Sequence, residues 1–424
     1  MDPVCAPGQP CHRGGRESGK PTGTRPAYCP AVAASAGGSG AIGSGTNGAA
    51  VPAGGWPAVS VVMPVRDEER HLRDAVGRVL AQDYPGLLEV VLAVGPSGDR
   101  TAELAAALAG ADPRVRVVAN PSGATPAGLN AALRASAHPV VVRVDGHGLL
   151  SDGYVTRAVQ ELARTEAANV GGVMHAVGTT DFERAVARAM TSRLGIGGAV
   201  FHTGGTAGPA DSVYLGVFRR DVLDELGGFD EHYRRAQDWE LNLRIRRAGH
   251  TVWFDPDLSV TYRPRSGWGA LSRQFAGSGR WRRELVRRHP DTASARYLAP
   301  PVVTVAVVAG SAVGIAGLLA GAAVERGERA GSDRRTHSSR SARWKRSARW
   351  GLALPAGYAA GVTAAAATLS GGLPARSRLL LAPVLATMHL SWGAGFLGRP
   401  PDGGPRDTSR DTPGPEGRQS TAHS

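Results

Sequence analysis

Short apolar runs alternate with amphipathic stretches from residue 58 to about residue 250. Val59-Ser60-Val61-Val62-Met63 is mainly β-branched and stops at Pro64, which reads as a buried strand. Asp67 to Gln82 then carries Leu72, Val76, Val79 and Leu80 at helical spacing. Asp67 is the expected N-cap, and Asp83-Tyr84-Pro85-Gly86 ends the helix. Further strands are expected at Leu88–Val94, Val115–Ala119 and Pro139–Val144, separated by helices over Thr101–Ala109 and Pro126–Ser136. This alternation predicts parallel strands with helices on both faces, and ligands then bind beyond the carboxyl ends of the strands.

The pattern is more mixed further on. Helices are expected over Tyr154–Thr165, Phe182–Arg193, Asp221–Leu226 and Asp238–Ala248, and strands over Val170–Ala176 and Val213–Phe218. Gly195–Gly208 is glycine-rich and reads as a mobile loop. Trp268–His289 is a basic helical stretch bearing aromatics. Leu298–Val324 contains no charged residue and is long enough to span a bilayer. Gly351–Leu373 and Leu379–Leu397 are two further candidates, and buried core helices are the alternative reading. Five regions result: a disordered tail at 1–56, a catalytic α/β domain at 57–265, a basic interfacial segment at 266–297, a membrane region at 298–398 and a disordered tail at 399–424. The membrane region includes a basic loop at 325–349.

Charge sharpens this division. The chain of 424 residues carries 49 basic and 36 acidic residues, a net +13, with Arg far exceeding Lys. Much of the excess lies in Arg280–Arg296 and Arg326–Arg349, flanking an apolar run. Charge in that position suits lipid headgroups, and with no recognition motif beside it nucleic acid is not an expected partner. The basic stretch should stay cytoplasmic. Either the first apolar segment re-enters the same side, which Gly310, Gly314 and Gly317 permit, or the stretch is an outside loop. The three cysteines, Cys5, Cys11 and Cys29, sit in the N-terminal tail, so neither a disulfide framework nor a Cys-based metal site is expected in the folded part. Gly14–Pro21 nearly spells a phosphate-binding loop, but Pro21 stands where the metal-binding hydroxyl belongs.

Two motifs carry candidate chemistry. Arg143-Val144-Asp145-Gly146-His147 follows a strand, and an acid with a second ligand two residues later can grip one divalent cation, Mg²⁺ or Mn²⁺. A plain Asp-Gly turn is the alternative. Gln237-Asp238-Trp239-Glu240 opens a helix, where both acids favour the dipole and Asp238 is placed to act as a general base. Gly227-Gly228-Phe229-Asp230-Glu231 reads as an architectural turn, and Asn130 either orients a nucleotide site or caps a turn.

Taken in order, strand Val59–Pro64, the Gly128–Leu133 helix, Arg143–His147, Tyr214–Arg220, Gly227–Glu231 and Gln237–Glu240 resemble family 2 glycosyltransferases of the GT-A fold. The similarity spans Val59 to about Trp281. With Trp253-Phe254-Asp255-Pro256, the Arg-Val-Asp-Gly-His form looks most like the bacterial exopolysaccharide branch of succinoglycan type. The resemblance implies a Rossmann-like, mostly parallel sheet followed by transmembrane helices. It further implies inverting transfer from a nucleotide-diphosphate sugar, most readily a UDP-sugar, to a glycan or polyprenyl-linked acceptor at the cytoplasmic face of the inner membrane. Asp145 and His147 match the metal motif and Asp238 the catalytic base. Pro64, Asp67, Asp99, Asn130 and Arg143 join Asp145 on the donor side. Glu240, Arg280 and Trp281 fall on the acceptor or diphosphate side. Two departures stand out: Gly277 replaces the usual Gln before Arg280-Trp281, and no Asp pair occurs near Val94-Gly95. The second motivates an alternative, a catalytically degenerate membrane protein that binds nucleotide or glycan.

Overall fold

The computed structural model describes residues 55–329 and 334–399. The N-terminal tail with its three cysteines and the Gly14–Pro21 segment lies outside the described residues, as does the tail from residue 400. The chain runs β1 (Val59–Val65), α1 (Leu72–Leu80), β2 (Leu88–Val94), α2 (Thr101–Ala111), β3 (Val115–Ala119), α3 (Thr125–Ala135) and β4 (Val140–Arg143). It continues as β5 (Leu149–Leu150), α4 (Tyr154–Thr165), β6 (Asn169–Ala176), α5 (Asp181–Met190), α6 (Arg193–Ile196) and α7 (Val200–Thr203). Then come β7 (Gly208–Pro209), β8 (Tyr214–Arg219), α8 (Arg220–Glu225), α9 (Gln237–Arg247) and β9 (Val252–Tyr262). The last four helices are α10 (Trp268–Arg288), α11 (Ala295–Arg329), α12 (Arg334–Leu369) and α13 (Ala375–Leu397).

The strands form one mixed sheet in the order β3-β2-β1-β4-β8-β6-β9-β5, with β7 paired to β9. β3, β2, β1 and β4 are mutually parallel, and β6 is parallel to β9. Within this mostly parallel sheet β8 runs against both β4 and β6, and β5 and β7 run against β9. Strand alternation sorts the core into two layers. Val59, Val61 and Met63 face α1, α2 and α4, whereas Val62 and Val91 face α3, α8 and α9. The order reverses between β1 and β4, which opens a crevice beyond their carboxyl ends.

Three expectations need correcting, and one element was not foreseen. Asp67 does not cap α1, which starts at Leu72 after His71; Asp67 sits in a loop at φ 54°. Its carboxylate instead accepts from the Gly98 amide at 2.8 Å, so the loop after β1 is bound to the loop after β2 and the helix begins late. The Gly195–Gly208 stretch holds two single-turn helices rather than plain loop, the first capped by the Ser192 hydroxyl at Gly195 N. The segment over Trp253–Tyr262 is a long strand, β9. The first apolar segment is one continuous helix, α11, rather than a re-entrant one.

Three helical segments, Ala295–Arg326, Ala342–Leu369 and Ala375–Leu397, are long and apolar enough to cross a membrane. α11 and α12 pack through glycines: a Cβ at Gly351 would lie 2.4 Å from Gly314 N, and one at Gly317 2.7 Å from Ala348 N. Glycine in this seam is a packing requirement, not a bend. The same device joins α10 to α13. A Cβ at Gly279 would lie 2.0 Å from the Trp392 carbonyl oxygen, and one at Gly395 1.9 Å from that of Ala276. A third core, with Met190 of α5, Phe275 of α10, Val362 of α12 and Leu385 of α13, welds the apolar helices to the sheet domain.

Candidate active site

Arg143 is the last residue of β4, and its side chain is 3% exposed. Its Nη2 donates to Asp145 Oδ1 at 3.0 Å, and its Nη1 meets Asp238. One buried guanidinium thus joins the strand-end acid to the helix-start acid. Asp145 and Asp238 keep 23% and 31% of their side chains exposed, and both line a cavity of about 1340 Å³. The chain is turned to deliver Asp238: Ala236, at the N-cap of α9, adopts φ 63°. A non-glycine residue there stores roughly 1–2 kcal/mol, which the packed α9 overrides.

His147 Nδ1 lies 2.6 Å from Glu68 Oε1. Burial pushes the imidazole pKa down, but the Glu68 hydrogen bond and the Asp145 and Glu68 charges hold it above the usual value. Burial pushes the Asp145 carboxyl up, but the Arg143 and His147 charges and the Arg143 hydrogen bond hold it below the usual range. Among the described residues no group of three or more His, Cys, Asp or Glu side chains is placed to hold a metal. The pair Asp145 and His147 nonetheless offers a carboxylate oxygen and Nε2, with Nδ1 engaged by a carboxylate in the manner that orients ligating histidines. Those donors fit a cation whose remaining ligands come from phosphates.

The other sequence-derived positions separate into lining and supporting roles. Pro64 and Trp281 line the cavity. Trp281 is buried against His232 and Tyr233. Asp99 accepts from the Glu69 amide at 3.0 Å and from the Thr101 amide and hydroxyl. With Asp67 it laces the two loops together and does not line the cavity. Asn130 accepts from the Phe229 amide at 2.9 Å and donates to the Phe229 carbonyl at 2.8 Å and to Glu231. It holds the Gly227–Glu231 turn, where Gly228 at φ 72° leaves no room for a Cβ beside Asn130 Oδ1. Glu240 is buried and paired with Arg244, which also donates to the carbonyls of Leu226 and Gly228. Arg280 is exposed and lies away from the cavity.

Several lining residues were not singled out from sequence. Arg66 follows β1, and its guanidinium lies against Gly123. Gly123 in turn packs on Gly95, beside the position where the resemblance would place an Asp pair. Tyr214 sits where β6 and β8 slip register, a bulge that re-aims side chains. Burial beside Asp145 keeps its hydroxyl protonated. Arg235 fills the space in front of Gly277, within 3.2 Å of where a Cβ would stand. A side chain at 277 would require this arginine to give way by a few tenths of an ångström. Arg282 completes the set on α10.

Comparison with known proteins shows what the chain is similar to. A model of glycosyl transferase family 2 matches residues 60–227. The chain is 31% identical over 245 residues to the succinoglycan biosynthesis protein ExoA of Rhizobium meliloti, covering 57% of this chain and 74% of that one. A Methanococcus voltae dolichyl N-acetyl-α-D-glucosaminyl phosphate 3-β-D-2,3-diacetamido-2,3-dideoxy-β-D-glucuronosyltransferase is 19% identical over 54% of this chain and 74% of its own. Among solved structures, the mannosyltransferase PcManGT of Pyrobaculum calidifontis with GDP-Man and Mn²⁺ is 20% identical, with TM-score 0.49, covering 81% of this chain and 87% of that one. On the identity and coverage shared with ExoA, the chain belongs to glycosyl transferase family 2.

Proposed function

We propose that the chain is an inverting transferase that moves a sugar from a nucleotide-diphosphate donor to the hydroxyl of a glycan or lipid-linked acceptor in exopolysaccharide or envelope-glycan synthesis. The observation that carries this reading is Arg143, which brings Asp145 and Asp238 to one cavity wall. In this reading residues 57–265 are catalytic, 266–297 lie at the interface and 298–398 anchor the chain in the inner membrane, with catalysis on the cytoplasmic side. The relative ExoA is named for succinoglycan biosynthesis, which fits such a role.

Asp238 accepts the proton of the acceptor hydroxyl as that oxygen attacks the anomeric carbon. The glycosyl–phosphate bond breaks in the same step, its electron pair leaves with the nucleoside diphosphate, and configuration inverts. Arg143 holds Asp238 at the cavity wall, facing the acceptor. Tyr214 offers a neutral hydroxyl near the leaving group. Asp145 and His147 would hold a divalent cation, Mg²⁺ or Mn²⁺, which offsets charge on the departing diphosphate. In this reading Arg66, which lies against Gly123 and Gly95 where acids are absent, and nearby backbone groups would select the base, expected to be uridine.

Asp238→Asn tests the assignment. It should keep nucleotide binding and lose transfer by about 10²–10⁴-fold. Equal turnover in that variant removes Asp238 as base. The Val94-Gly95 departure favours the second reading, a degenerate binder, and nucleotide binding without turnover of any acceptor by the unsubstituted chain would select it.

A further inference from the structure

The cavity extends past Asp238 to the first turns of α11 and to α13, and an unusual cation sits there. Arg282 lies between two rings, 4.5 Å from the centroid of Trp239 and 4.1 Å from that of Tyr297. Its Nη1 is inaccessible and has no hydrogen-bond partner. Arg296 stacks on the same tyrosine at 4.5 Å. Among the described residues neither arginine has a carboxylate within 4.0 Å, although most other buried or half-buried arginines of the sheet domain have one. Burial pushes the Arg282 guanidinium down to about 10. The guanidinium is half-buried with its Nη1 cut off from water, and a charged donor left without an acceptor is costly and calls for a counter-ion. The planar fork of arginine suits phosphate oxygens.

The surroundings identify what carries that phosphate. Trp239 is the neighbour of Asp238 on α9, so the cation borders the base. The adjoining wall is apolar and comes from the helices long enough to span a bilayer: Pro300 and Val303 of α11, Met388 and Trp392 of α13. We infer that Arg282, assisted by Arg296, binds the phosphate-bearing head of a lipid-borne acceptor whose apolar part lies along the cavity wall formed by α11 and α13. This rests on the transferase reading above and selects a lipid-linked acceptor over a free glycan. The same anion chemistry is available from the donor diphosphate, and the test must separate the two.

The full chain in detergent is titrated with farnesyl diphosphate, farnesol, inorganic diphosphate and UDP, following tryptophan fluorescence. Farnesyl diphosphate should bind at least tenfold more tightly than farnesol or inorganic diphosphate. Arg282→Gln should weaken farnesyl diphosphate at least tenfold while moving UDP by less than twofold. Val303→Trp, which crowds the apolar wall without touching the cation, should weaken farnesyl diphosphate but not inorganic diphosphate. That second variant keeps the inference testable if Arg282→Gln does not fold. Farnesyl diphosphate binding that survives both substitutions overturns the inference. Equal weakening of UDP and farnesyl diphosphate by Arg282→Gln also overturns it, because the anion is then the donor's. Failure of the unsubstituted chain to bind UDP counts against the transferase reading instead.

Discussion

Arg143→Met removes the cation that two carboxylates share. Breaking a buried ion pair by deleting one partner costs about 3–5 kcal/mol. Asp145 and Asp238 each retain partial access to water, 23% and 31%, so the lower end, about 3 kcal/mol, is the expected loss. Most of that loss is the penalty of leaving acids in the cavity wall without their counter-charge. It should therefore shrink when one acid is already neutral. In the Asp238→Asn background Arg143→Met should cost about 1–2 kcal/mol less than in the unsubstituted chain, the size of coupling expected of groups in contact. Urea unfolding of the four chains in detergent, followed by tryptophan fluorescence, measures the cycle. If the two substitutions add within about 0.5 kcal/mol, Arg143 does not couple to Asp238 and the shared-cation account of the site is wrong.

Gly279→Ala should push α13 off α10, because its Cβ would stand 2.0 Å from a backbone carbonyl that cannot rotate away. A loss of at least about 1–3 kcal/mol is expected from overpacking, read as a lowered Tm. Gly110→Ala in α2, where a Cβ meets nothing within 4 Å, should instead be neutral or stabilising. Glu284 sets an acid limb. Hydrogen bonds from Arg287, Arg288 and His232 outweigh burial and hold its carboxyl down to about 2, against 4.5 when unfolded. A depressed carboxylate contributes stability above about pH 4.5 that is lost as pH falls through about 2. The stability gap between the unsubstituted chain and Glu284→Gln should therefore close over that window; a gap constant from pH 7 to 2 would refute the assignment.

Much of the sheet domain is legible in its pattern. β2, β3 and α4 fall on the expected residues because their apolar runs are bounded by turn residues that admit one reading. The direction of β8 is not legible, since Tyr214–Arg219 would look the same in either orientation and only its neighbours decide. Asp67 failed as a cap for a related reason. Its carboxylate found a partner 31 residues away, at Gly98, rather than in the following turn. At the site, Asp145, His147 and Asp238 stand out by their place at a strand end and a helix start. Arg143 was visible in the same motif, but its bridging role requires α9 to be docked. Arg235 and Arg282 were lost among 49 basic residues, because an arginine with no recognisable motif around it carries no local mark. The glycines of α11 pointed toward a bend only while α12 was not yet packed against them.

The continuity of α11 also constrains how catalysis meets the membrane. Tyr297 in its first turn lines the cavity, and the apolar span ends at Arg326, which at 1.5 Å per residue places the two about 40–45 Å apart. The basic stretch that begins at Arg326 is therefore remote from the catalytic cavity. Cations near the active side are supplied instead by α10, whose Arg280, Arg283, Arg287 and Arg288 flank the sheet domain. α10 is fixed to α13 by the paired glycine contacts at Gly279 and Gly395, and the same helix carries Trp281 and Arg282 into the cavity. α10 thus positions the sheet domain beside the apolar helices and forms part of the cavity wall.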